Sequence, residues 1–523
     1  MQHYCDITVK ADSQPLIESV AVELPVPSLS DNTAVLDRLT RCLGQRGFSP
    51  TRMSVSRMEE IVEKIGRLGL NFRAVLGWAD TRWEILDIIP ASAEGGVFAF
   101  ALDLGTTTVI IRLVDVIGRK TISEISVNNP QVKWGEDILS RIIFARKPQN
   151  LLALRACLIQ ACVQAMRKML KESGVGASGV YALSCAGNTA MSHFFWGLDP
   201  SGICREPYIP SANTFPTVYA SELGFDLFPA SLLYLFPNVG SYVGGDILSG
   251  IVAAGLCRSM QTSMLIDVGT NAEVVVGNQE WLVACAGAAG PALEGGVVER
   301  GMQAAPGAID RVRIDRKTLE PDLGVIGGLK ARGICGSGLI ELVAEMFSSK
   351  ILTIQGKFNA DLACPRFRDT PEGRAYALAL SSQTADGEEI LISEIDIGVF
   401  LKSKAAMYAI LSVICRKVGL GFDDLQNIYI AGSFGNHIDS EMAVRIGMIP
   451  DLALDKYHGI GNSSLSGATM LLCDRTILAE VEKVRSMITY VELNVNIELM
   501  NEFRGALFIP HTDPRLFPSV RRP

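Results

Sequence analysis

Two short segments place an aspartate, a glycine and small polar side chains between apolar, β-branched runs: FAFALDLGTTTVIIRLVD at 98–115 and SMLIDVGTNAEVVVG at 263–277. The matching polar positions are Asp103, Gly105, Thr106 and Thr107 in the first segment and Asp267, Gly269, Thr270 and Asn271 in the second. Each segment predicts a β-hairpin with a polar tip. Glycine lets a backbone approach phosphate oxygens, threonine hydroxyls and N–H groups donate to them, and carboxylates hold a divalent cation. The hairpins therefore predict a polyphosphate site with a bound cation.

The repetition of this hairpin is as informative as its residues. A single Asp-x-Gly-Thr segment is an ordinary turn in which the aspartate caps its own backbone. Two copies, each within buried strands and each followed by helical segments, are typical of duplicated halves around a nucleotide cleft. The carboxylates of Asp103 and Asp267, at the ends of buried strands, would be costly without cations or donors, so both are predicted as cation ligands.

A third glycine-rich segment, LQNIYIAGSFGNHID at 425–439, leads from an apolar strand through a tight turn into a helix. This arrangement is typical of nucleotide sites, and the residues predicted to form an adenosine pocket are Gly432, Ser433, Phe434 and Gly435. Gly336 and Ser337 open the amphipathic helix LIELVAEMF and are predicted to let adenosine or ribose approach, with tight helix packing as an equal alternative.

The chain divides into three predicted parts. Residues 1–30 contain the Pro-punctuated sequence VAVELPVPSLSD and are predicted as a linker or strap. Residues 31–95 carry two helical patterns and then a segment with strand-like alternation, which together predict a small mixed α/β domain. Residues 96–523 are predicted as one α/β domain made of two halves, about 96–260 and 261–523.

Composition excludes several classes of function. Forty-eight Lys and Arg against 56 Asp and Glu give a net charge of -8, without a basic cluster, so nucleic acid is not an expected partner. The sequence has no signal-peptide pattern and no uninterrupted apolar span, so we expect a cytoplasmic protein that does not insert into a membrane. Twelve cysteines form no C-x-x-C pair and no close group with histidine, so no metal cluster is expected.

The three glycine-rich motifs resemble the phosphate-1, phosphate-2 and adenosine motifs of the superfamily that contains acetate and sugar kinases, the heat-shock chaperone ATPase and actin. Further strings resemble the ATP-dependent reductive activators of corrinoid proteins, from about residue 15 onward. These strings are NNPQVKWGEDILSRI at 128–142, CAGNTAMSHFFWGLDP at 185–200, NVGSYVGGDILSGI at 238–251, AGAAGPALEGGVVERGMQAAPGAI at 286–309, GICGSGLIELV at 333–343 and RIGMIP at 445–450.

The resemblance implies an actin-like, ribonuclease H-like ATPase fold that binds ATP and Mg²⁺, with Asp103 and Asp267 as catalytic metal ligands. It implies that a corrinoid protein of a methyltransferase system is returned from Co(II) to Co(I) at the expense of ATP. Asn188 matches the strand end that faces the γ-phosphate, where an amide orients the attacking water, although a plain turn asparagine fits nearly as well. Glu294, in GPALEGG, is a candidate general base or cation ligand, with a loop-ordering hydrogen bond as the alternative.

One family feature is not matched by the sequence. Typical members begin with a ferredoxin-like domain in which four cysteines bind a [2Fe–2S] cluster, whereas Cys5 and Cys42 are the only cysteines near this amino terminus. We therefore expect a separate ferredoxin or other iron–sulfur protein to supply the electron, or the chain to perform only the ATP-driven half of the reaction. A homodimer is left open. The alternative functions are a small-molecule kinase of the same superfamily and a non-catalytic, nucleotide-gated partner protein.

Overall fold

We analysed a computed structural model of the 523-residue chain. The structure describes residues 13–92, 96–269, 271–288, 298–371, 373–432, 438–493 and 497–520. The chain forms two compact units: the first is Met1–Ala253 with Ser463–Ser486, and the second is Ala254–Asn462 with Met487–Pro523. The first unit thus takes a segment, Ser463–Ser486, from beyond the boundary predicted near residue 260.

The first unit begins with a small four-stranded sheet in the order β1-β3-β4-β2. Its elements are β1 Ile17–Glu23, α1 Val35–Gln45, β2 Thr51–Arg52, α2 Val55–Leu68, β3 Asn71–Ala79 and β4 Arg82–Pro90. Leu39, Leu43, Ile61 and Ile65 from the two helices pack on the sheet. β1 lies within the predicted linker 1–30 and pairs antiparallel with β3, so the sheet starts before the predicted domain boundary at residue 31.

The first unit continues with a six-stranded sheet in the order β7-β6-β5-β8-β10-β9. Its elements are β5 Phe98–Leu104, β6 Thr108–Asp115, β7 Lys120–Asn128, α3 Ile138–Ala145, α4 Pro148–Ser173, β8 Val180–Gly187, α5 Thr189–Trp196, β9 Val218–Tyr219, β10 Leu232–Leu235 and α6 Gly245–Ala254. Strands β5 to β7 form an antiparallel meander, and β8 and β10 extend it in parallel. The predicted first hairpin is thereby present as β5 and β6.

The second unit has a six-stranded sheet in the order β21-β20-β11-β12-β13-β22. The elements of the chain from residue 263 onward are β11 Ser263–Val268, β12 Asn271–Gly277, β13 Leu282–Ala288, β14 Ala308–Ile314, β15 Pro321–Val325, β16 Gly333–Ile334, α7 Gly336–Ser348, β17 Phe367–Thr370, β18 Gly373–Ala379, β19 Ile390–Ser393, α8 Glu394–Lys417, β20 Asn427–Ala431, α9 Ser440–Arg445, β21 Tyr457–Gly461, α10 Ser463–Cys473, α11 Ile477–Met487, β22 Ile488–Tyr490 and α12 Ile497–Ala506. Two three-stranded sheets, β15-β14-β16 and β17-β18-β19, lie between β13 and α8 along the chain.

The two six-stranded sheets repeat one topology. In each, an antiparallel meander of three strands is followed by two strands parallel to the first strand of the meander. The fold is therefore the predicted duplicated α/β arrangement. The helix α10 departs from a simple division in halves, because it follows β21 along the chain but packs against β5, β6 and β8 of the first unit.

One helix in the described part of the chain, α8, is long and apolar enough to cross a membrane by length and composition alone. Most of its apolar window is buried inside the protein. Side chains of α8 such as Phe400, Leu411 and Ile414 belong to the core of the second unit. This is the pattern of a central core helix.

Candidate active site

Asp103 lies near the end of β5, beside Ala186 of the parallel strand β8. Its side chain is half-buried. The hydroxyl of Ser464, in the first turn of α10, donates a hydrogen bond to Asp103 Oδ1 at 2.8 Å. This contact joins residues 361 positions apart, and no local sequence pattern points to it. The carboxylate of the first hairpin is thus oriented by a helix from the far end of the chain.

The turn that follows Asp103 is held through three consecutive carbonyl groups. Asn129 Nδ2 donates to the Gly105 carbonyl at 2.9 Å, and the Asn129 backbone N–H donates to the Thr107 carbonyl at 2.8 Å. Arg141 Nη1 donates to the Thr106 carbonyl at 2.7 Å. In a trans peptide the C=O and the next N–H point in opposite directions. The N–H groups of residues 106, 107 and 108 therefore face away from these donors, and successive N–H groups of this kind can form an anion-binding nest.

Asn188 follows β8 and takes part in two interactions. Its Oδ1 accepts a hydrogen bond from the Met191 N–H at 2.9 Å, which caps α5, and its Nδ2 donates to Thr106 Oγ1 at 3.1 Å. The predicted turn role is therefore present, and it coexists with a contact to the hairpin turn. The structure brings Asp103, Thr106 and Asn188 to the same edge of the first sheet, because the carboxyl ends of the parallel strands β5 and β8 meet there.

The loop before α6 packs directly on Asn188. A side chain at Gly244 would place its Cβ 2.5 Å from Asn188 Cα and 2.8 Å from Asp246 Oδ1, so only glycine fits. Asp246 lies in the first turn of α6, and its Oδ1 accepts the N–H of Ile247 at 2.8 Å. Asp246 is thus a residue of the helix start that also adjoins the loop packed on Asn188.

In the second unit, Asp267 of the second hairpin lies next to Gly432. Asp267 pairs with Ala431 across the parallel strands β11 and β20. Gly432 follows with φ 88°, and a Cβ there would lie 2.6 Å from the Val268 carbonyl oxygen and 3.2 Å from Asp267 Oδ1. Both the left-handed backbone and the close approach require glycine. Gly432 is also bonded through its N–H to the Gly461 carbonyl at 2.9 Å.

The second hairpin turn is tight. The Gly269 N–H donates to the Asn271 carbonyl at 2.9 Å, and Asn271 begins β12 with an exposed side chain. Several predicted site residues lie outside the residues that the structure describes. They are Thr270, Glu294, Ser433, Phe434 and Gly435.

Gly336 and Ser337 form the buried first turn of α7. Ser337 Oγ lies 3.3 Å from the Cys335 thiol, and a Cβ at Gly338 would lie 2.3 Å from the Ile309 carbonyl oxygen. The glycine at 338 thus serves the packing of α7 on β14. The contacts of Ser337 with described residues are explained by this packing as well as by a nucleotide site. A role for Gly336 and Ser337 in binding adenosine therefore stays a prediction.

The donor set at each hairpin fits a magnesium nucleotide better than a protein-only metal site. Among the described residues, no group of three or more His, Cys, Asp or Glu side chains could hold a metal ion. The first hairpin offers one carboxylate, Asp103, and the second has Asp267 with Glu273 directly opposite it on β12. So few carboxylates suit a cation that takes most of its ligands from phosphates and water.

Comparisons with known proteins relate this geometry to a family. The family description "RACo middle region" matches residues 98–259, and "C-terminal domain of RACo the ASKHA domain" matches residues 261–521. A solved structure entitled "Reductive activator for corrinoid,iron-sulfur protein" is 36% identical, with a TM-score of 0.90 over 98% of this chain and 82% of that one. The chain belongs to the family of ATP-dependent reductive activators of corrinoid proteins.

Two curated members of the reductive activator family are more distant in sequence. "Corrinoid activation enzyme RamQ" of Eubacterium limosum is 28% identical over 78% of this chain and 70% of its own length. The "[Co(II) methylated amine-specific corrinoid protein] reductase" of Methanosarcina barkeri is 24% identical over 75% of this chain and 73% of its own length. The expected family, the actin-like fold and the assignment as an enzyme are therefore confirmed.

Two residues of the first turn's support, Asn129 and Arg141, lie within the string 128–142 that carries part of the family resemblance. Sequence reasoning did not single out either residue. Both are polar residues of a string that already carries the resemblance, but their function depends on which backbone carbonyls they bind, and the sequence does not give those partners. Ser464 had no comparable signal.

Proposed function

We propose that this chain hydrolyses Mg-ATP and couples the hydrolysis to reduction of a corrinoid protein from Co(II) to Co(I). The observation that carries this proposal is the repeated hairpin, which in both units places an aspartate at a strand end beside the end of a parallel strand. Membership of the reductive activator family, whose named members act on corrinoid proteins, supports the choice of substrate.

The residues of the first hairpin have separate roles in this proposal. The N–H groups of the nest and the Thr106 and Thr107 side chains donate to phosphate oxygens, and Asp103 holds magnesium directly or through its water. Magnesium supplies neutralisation of the phosphate charge. Asn188, through its contact with Thr106, lies where an amide can orient the attacking water. Asp267 holds the cation in the same way in the second unit, next to the Gly269–Asn271 segment of that hairpin.

The remaining predicted residues complete this proposal. Gly432 and the predicted residues that follow it in the sequence contact adenosine, since Gly432 adjoins Asp267 and its left-handed backbone leaves no room for a side chain. Gly336 and Ser337 approach the ribose. Glu294 is the proposed general base or second cation ligand.

The electron needs a source, because reduction of Co(II) to Co(I) consumes one electron while ATP hydrolysis to ADP and phosphate is not a redox reaction. We propose a separate low-potential iron–sulfur protein, such as a ferredoxin, as the donor. The cysteine spacings support this proposal, because none matches a cluster motif. The reaction would take place in the cytoplasm. Whether the chain forms a homodimer is a separate question that a measurement of its mass in solution would answer.

ATP contributes to such a reduction only through states that it binds with different affinities. ATP and ADP differ by the γ-phosphate, which the N–H groups of the first hairpin turn would contact. We therefore expect the corrinoid protein in its Co(II) state to bind more tightly to the ATP-bound chain than to the ADP-bound chain. Hydrolysis then releases the partner after reduction.

Turnover assays test this function against its alternatives. ATP hydrolysis by the purified chain is measured alone, with each corrinoid protein of the source organism in the Co(II) state, and with a panel of small hydroxyl and carboxyl acceptors. We expect stimulation by one corrinoid protein. Phosphorylation of a small acceptor would replace the proposal by a kinase, and nucleotide binding without turnover under all conditions would replace it by a nucleotide-gated partner.

A further inference from the structure

Arg141, in α3, is a buried cation beneath the first hairpin turn. Its exposed fraction is 0%. Its guanidinium donates to the carbonyls of Thr106 and Gly135, each at 2.7 Å, and to the Glu136 carbonyl at 3.3 Å. No carboxylate in the described part of the chain lies within ion-pair distance of it. A buried charge is costly unless another charge balances it, and carbonyl dipoles compensate only in part.

The backbone around Arg141 is shaped to enclose it. Gly135 has φ 155°, and a Cβ there would lie 2.6 Å from Ser140 Cβ, so glycine is needed for the chain to fold back over the guanidinium. Asp137, the carboxylate nearest along the chain, is engaged at the exposed start of α3, where Oδ1 accepts the Ser140 N–H at 2.8 Å. Burial lowers the pKa of Arg141, with partial compensation by Asp137.

The bond from Arg141 to Thr106 has a direct effect on the turn. It fixes the peptide between Thr106 and Thr107, so that the Thr107 N–H points to the opposite side. A cationic donor on the carbonyl also polarises that peptide, which makes its N–H a stronger donor to an anion. The same bond thus orients the nest and strengthens it.

We propose that Arg141 is a positioning residue for the phosphates of a nucleoside di- or triphosphate. It fixes the Thr106–Thr107 peptide in the anion-binding orientation, and its buried charge is balanced by the polyphosphate bound on the other side of the turn. This inference rests on the proposed ATPase function, because it assigns the ligand of the same hairpin. It adds a residue that does not touch the nucleotide.

Arg38, in α1, provides a matched control. It is 3% exposed and, like Arg141, donates to three backbone carbonyls, those of Pro25, Asp31 and Thr33, at 2.7, 3.1 and 3.0 Å. It lies in a helix beside the small sheet and not at the hairpin, and Asp31 Oδ1 is 3.9 Å from its guanidinium. A substitution of Arg38 therefore measures the structural effect of losing a buried, loop-binding guanidinium.

The test compares Arg141→Lys, Arg141→Met and Arg38→Lys in the full chain. Affinities for Mg-ATP, Mg-ADP and AMP are measured by calorimetry, beside thermal unfolding. We expect both Arg141 variants to bind ATP and ADP about 10-fold to 100-fold more weakly, which is the usual effect of losing a hydrogen bond to a charged group. Their affinity for AMP should fall by about twofold at most. Arg38→Lys should lower the unfolding temperature similarly and leave all three affinities unchanged.

Asn129→Leu is the second variant, for use if the Arg141 variants do not fold. It removes the amide donor to the Gly105 carbonyl without adding a charge that would itself repel phosphates, and the same selective loss for ATP and ADP is expected. Wild-type affinities in the folded variants, or equal losses for ATP and AMP, would overturn the inference alone. A wild-type chain that binds no ATP would overturn the proposed function and the inference with it.

Discussion

The two six-stranded sheets share the order of five strands but hold their hairpin turns by different means. In the first, the turn is bound from outside, by Asn129 and Arg141 on three carbonyls and by Ser464 on Asp103. In the second, the Gly269 N–H bonds within the turn itself, and the backbone of Gly432 closes against Asp267. The same topology is thus combined with two kinds of local support.

This difference shows that the strand order and the hydrogen bonds that hold the turns depend on different features of the sequence. Strand order follows from apolar β-branched runs, which are similar in both sheets. Turn support comes from single polar side chains at unrelated places in the sequence, such as Ser464. We therefore expect the aspartates of the two hairpins to have similar effects on ATP turnover. The other residues whose substitution lowers turnover should differ between the two hairpins.

The largest expected effect is common to both sheets. Asp103→Ala and Asp267→Ala should each lower ATP turnover by about 100-fold or more, because each removes a preorganised charge from the phosphate site. Both residues lie near strand ends and are half-buried, so circular dichroism and thermal unfolding should stay close to wild type. Full turnover in either variant would show that the two hairpins are not functionally equivalent, and full turnover in both would refute the site.

The next effect concerns stability of the second unit. Lys404 of α8 is fully buried, and its Nζ donates to the carbonyls of Ala506, Phe508 and Pro510 at 2.5, 2.7 and 2.6 Å. Lys404→Met leaves three buried acceptors without their donor and should lower the free energy of unfolding by about 3 kcal/mol. Hydrogen exchange should increase first in residues 506–510.

The exposed Lys402, two positions earlier in the same helix, supplies the control for Lys404. Lys402→Met should change the free energy of unfolding by about 0.5 kcal/mol or less. Similar losses in the two variants would mean that the carbonyl contacts of Lys404 contribute nothing specific.

A smaller effect distinguishes the supports of the two aspartates. Ser464→Ala removes the hydroxyl that binds Asp103 Oδ1 and should lower turnover by about 10-fold, with a higher magnesium requirement, by analogy with the loss of an outer partner of a metal ligand. Ser464→Thr should recover most of the activity. The loss should largely disappear in an Asp103→Asn background, because the hydroxyl acts through the carboxylate.

Ser463→Ala is the neighbouring control, since the Ser463 hydroxyl is buried and has no hydrogen-bond partner among the described residues. It should retain wild-type turnover. An equal loss for Ser463→Ala and Ser464→Ala would assign the effect to α10 as a whole instead of to the contact with Asp103.

The smallest effect is at the other end of α10. The guanidinium of Arg475, two residues after α10, lies over the rings of both Trp78 and Trp83 of the small sheet, 4.4 and 4.5 Å from their centroids. Arg475→Ala should destabilise the first unit by about 1 kcal/mol, the usual range for a cation–π contact, and Arg475→Lys by less. Faster hydrogen exchange in β3 and β4, without change in the second unit, is the expected signature.

Much of the fold could be predicted from the sequence, because its signals are local. The apolar alternation of β5 and β6, the glycine ends of α2 and α4, and the repeated Asp-x-Gly-Thr segments each reflect neighbouring residues. The strand β1 was the main difference in the fold, since the prolines at 25 and 27 suggested a linker throughout residues 1–30. In the structure those prolines follow β1 and leave its pairing with β3 intact.

The candidate site could be predicted only in part. Asp103, Asp267, Asn188 and Gly432 were predicted because strand ends and glycine turns are visible in the sequence. Ser464 and Arg141 were not singled out, since a serine at a helix start and an arginine in a helix are ordinary. Their importance depends on contacts across long stretches of chain.

The most direct test of the proposed function is a measurement of the cobalt oxidation state. The chain, a cognate corrinoid protein in the Co(II) state and a low-potential iron–sulfur donor are mixed without oxygen, with Mg-ATP, Mg-ADP or a non-hydrolysable ATP analogue. Loss of the Co(II) paramagnetic resonance signal and the gain in Co(I) absorbance are followed together. We predict that Co(I) accumulates only with Mg-ATP and only when Asp103 and Asp267 are both intact. Co(I) formed at the same rate without ATP, or by the Asp103→Ala variant, would contradict coupling of hydrolysis to reduction.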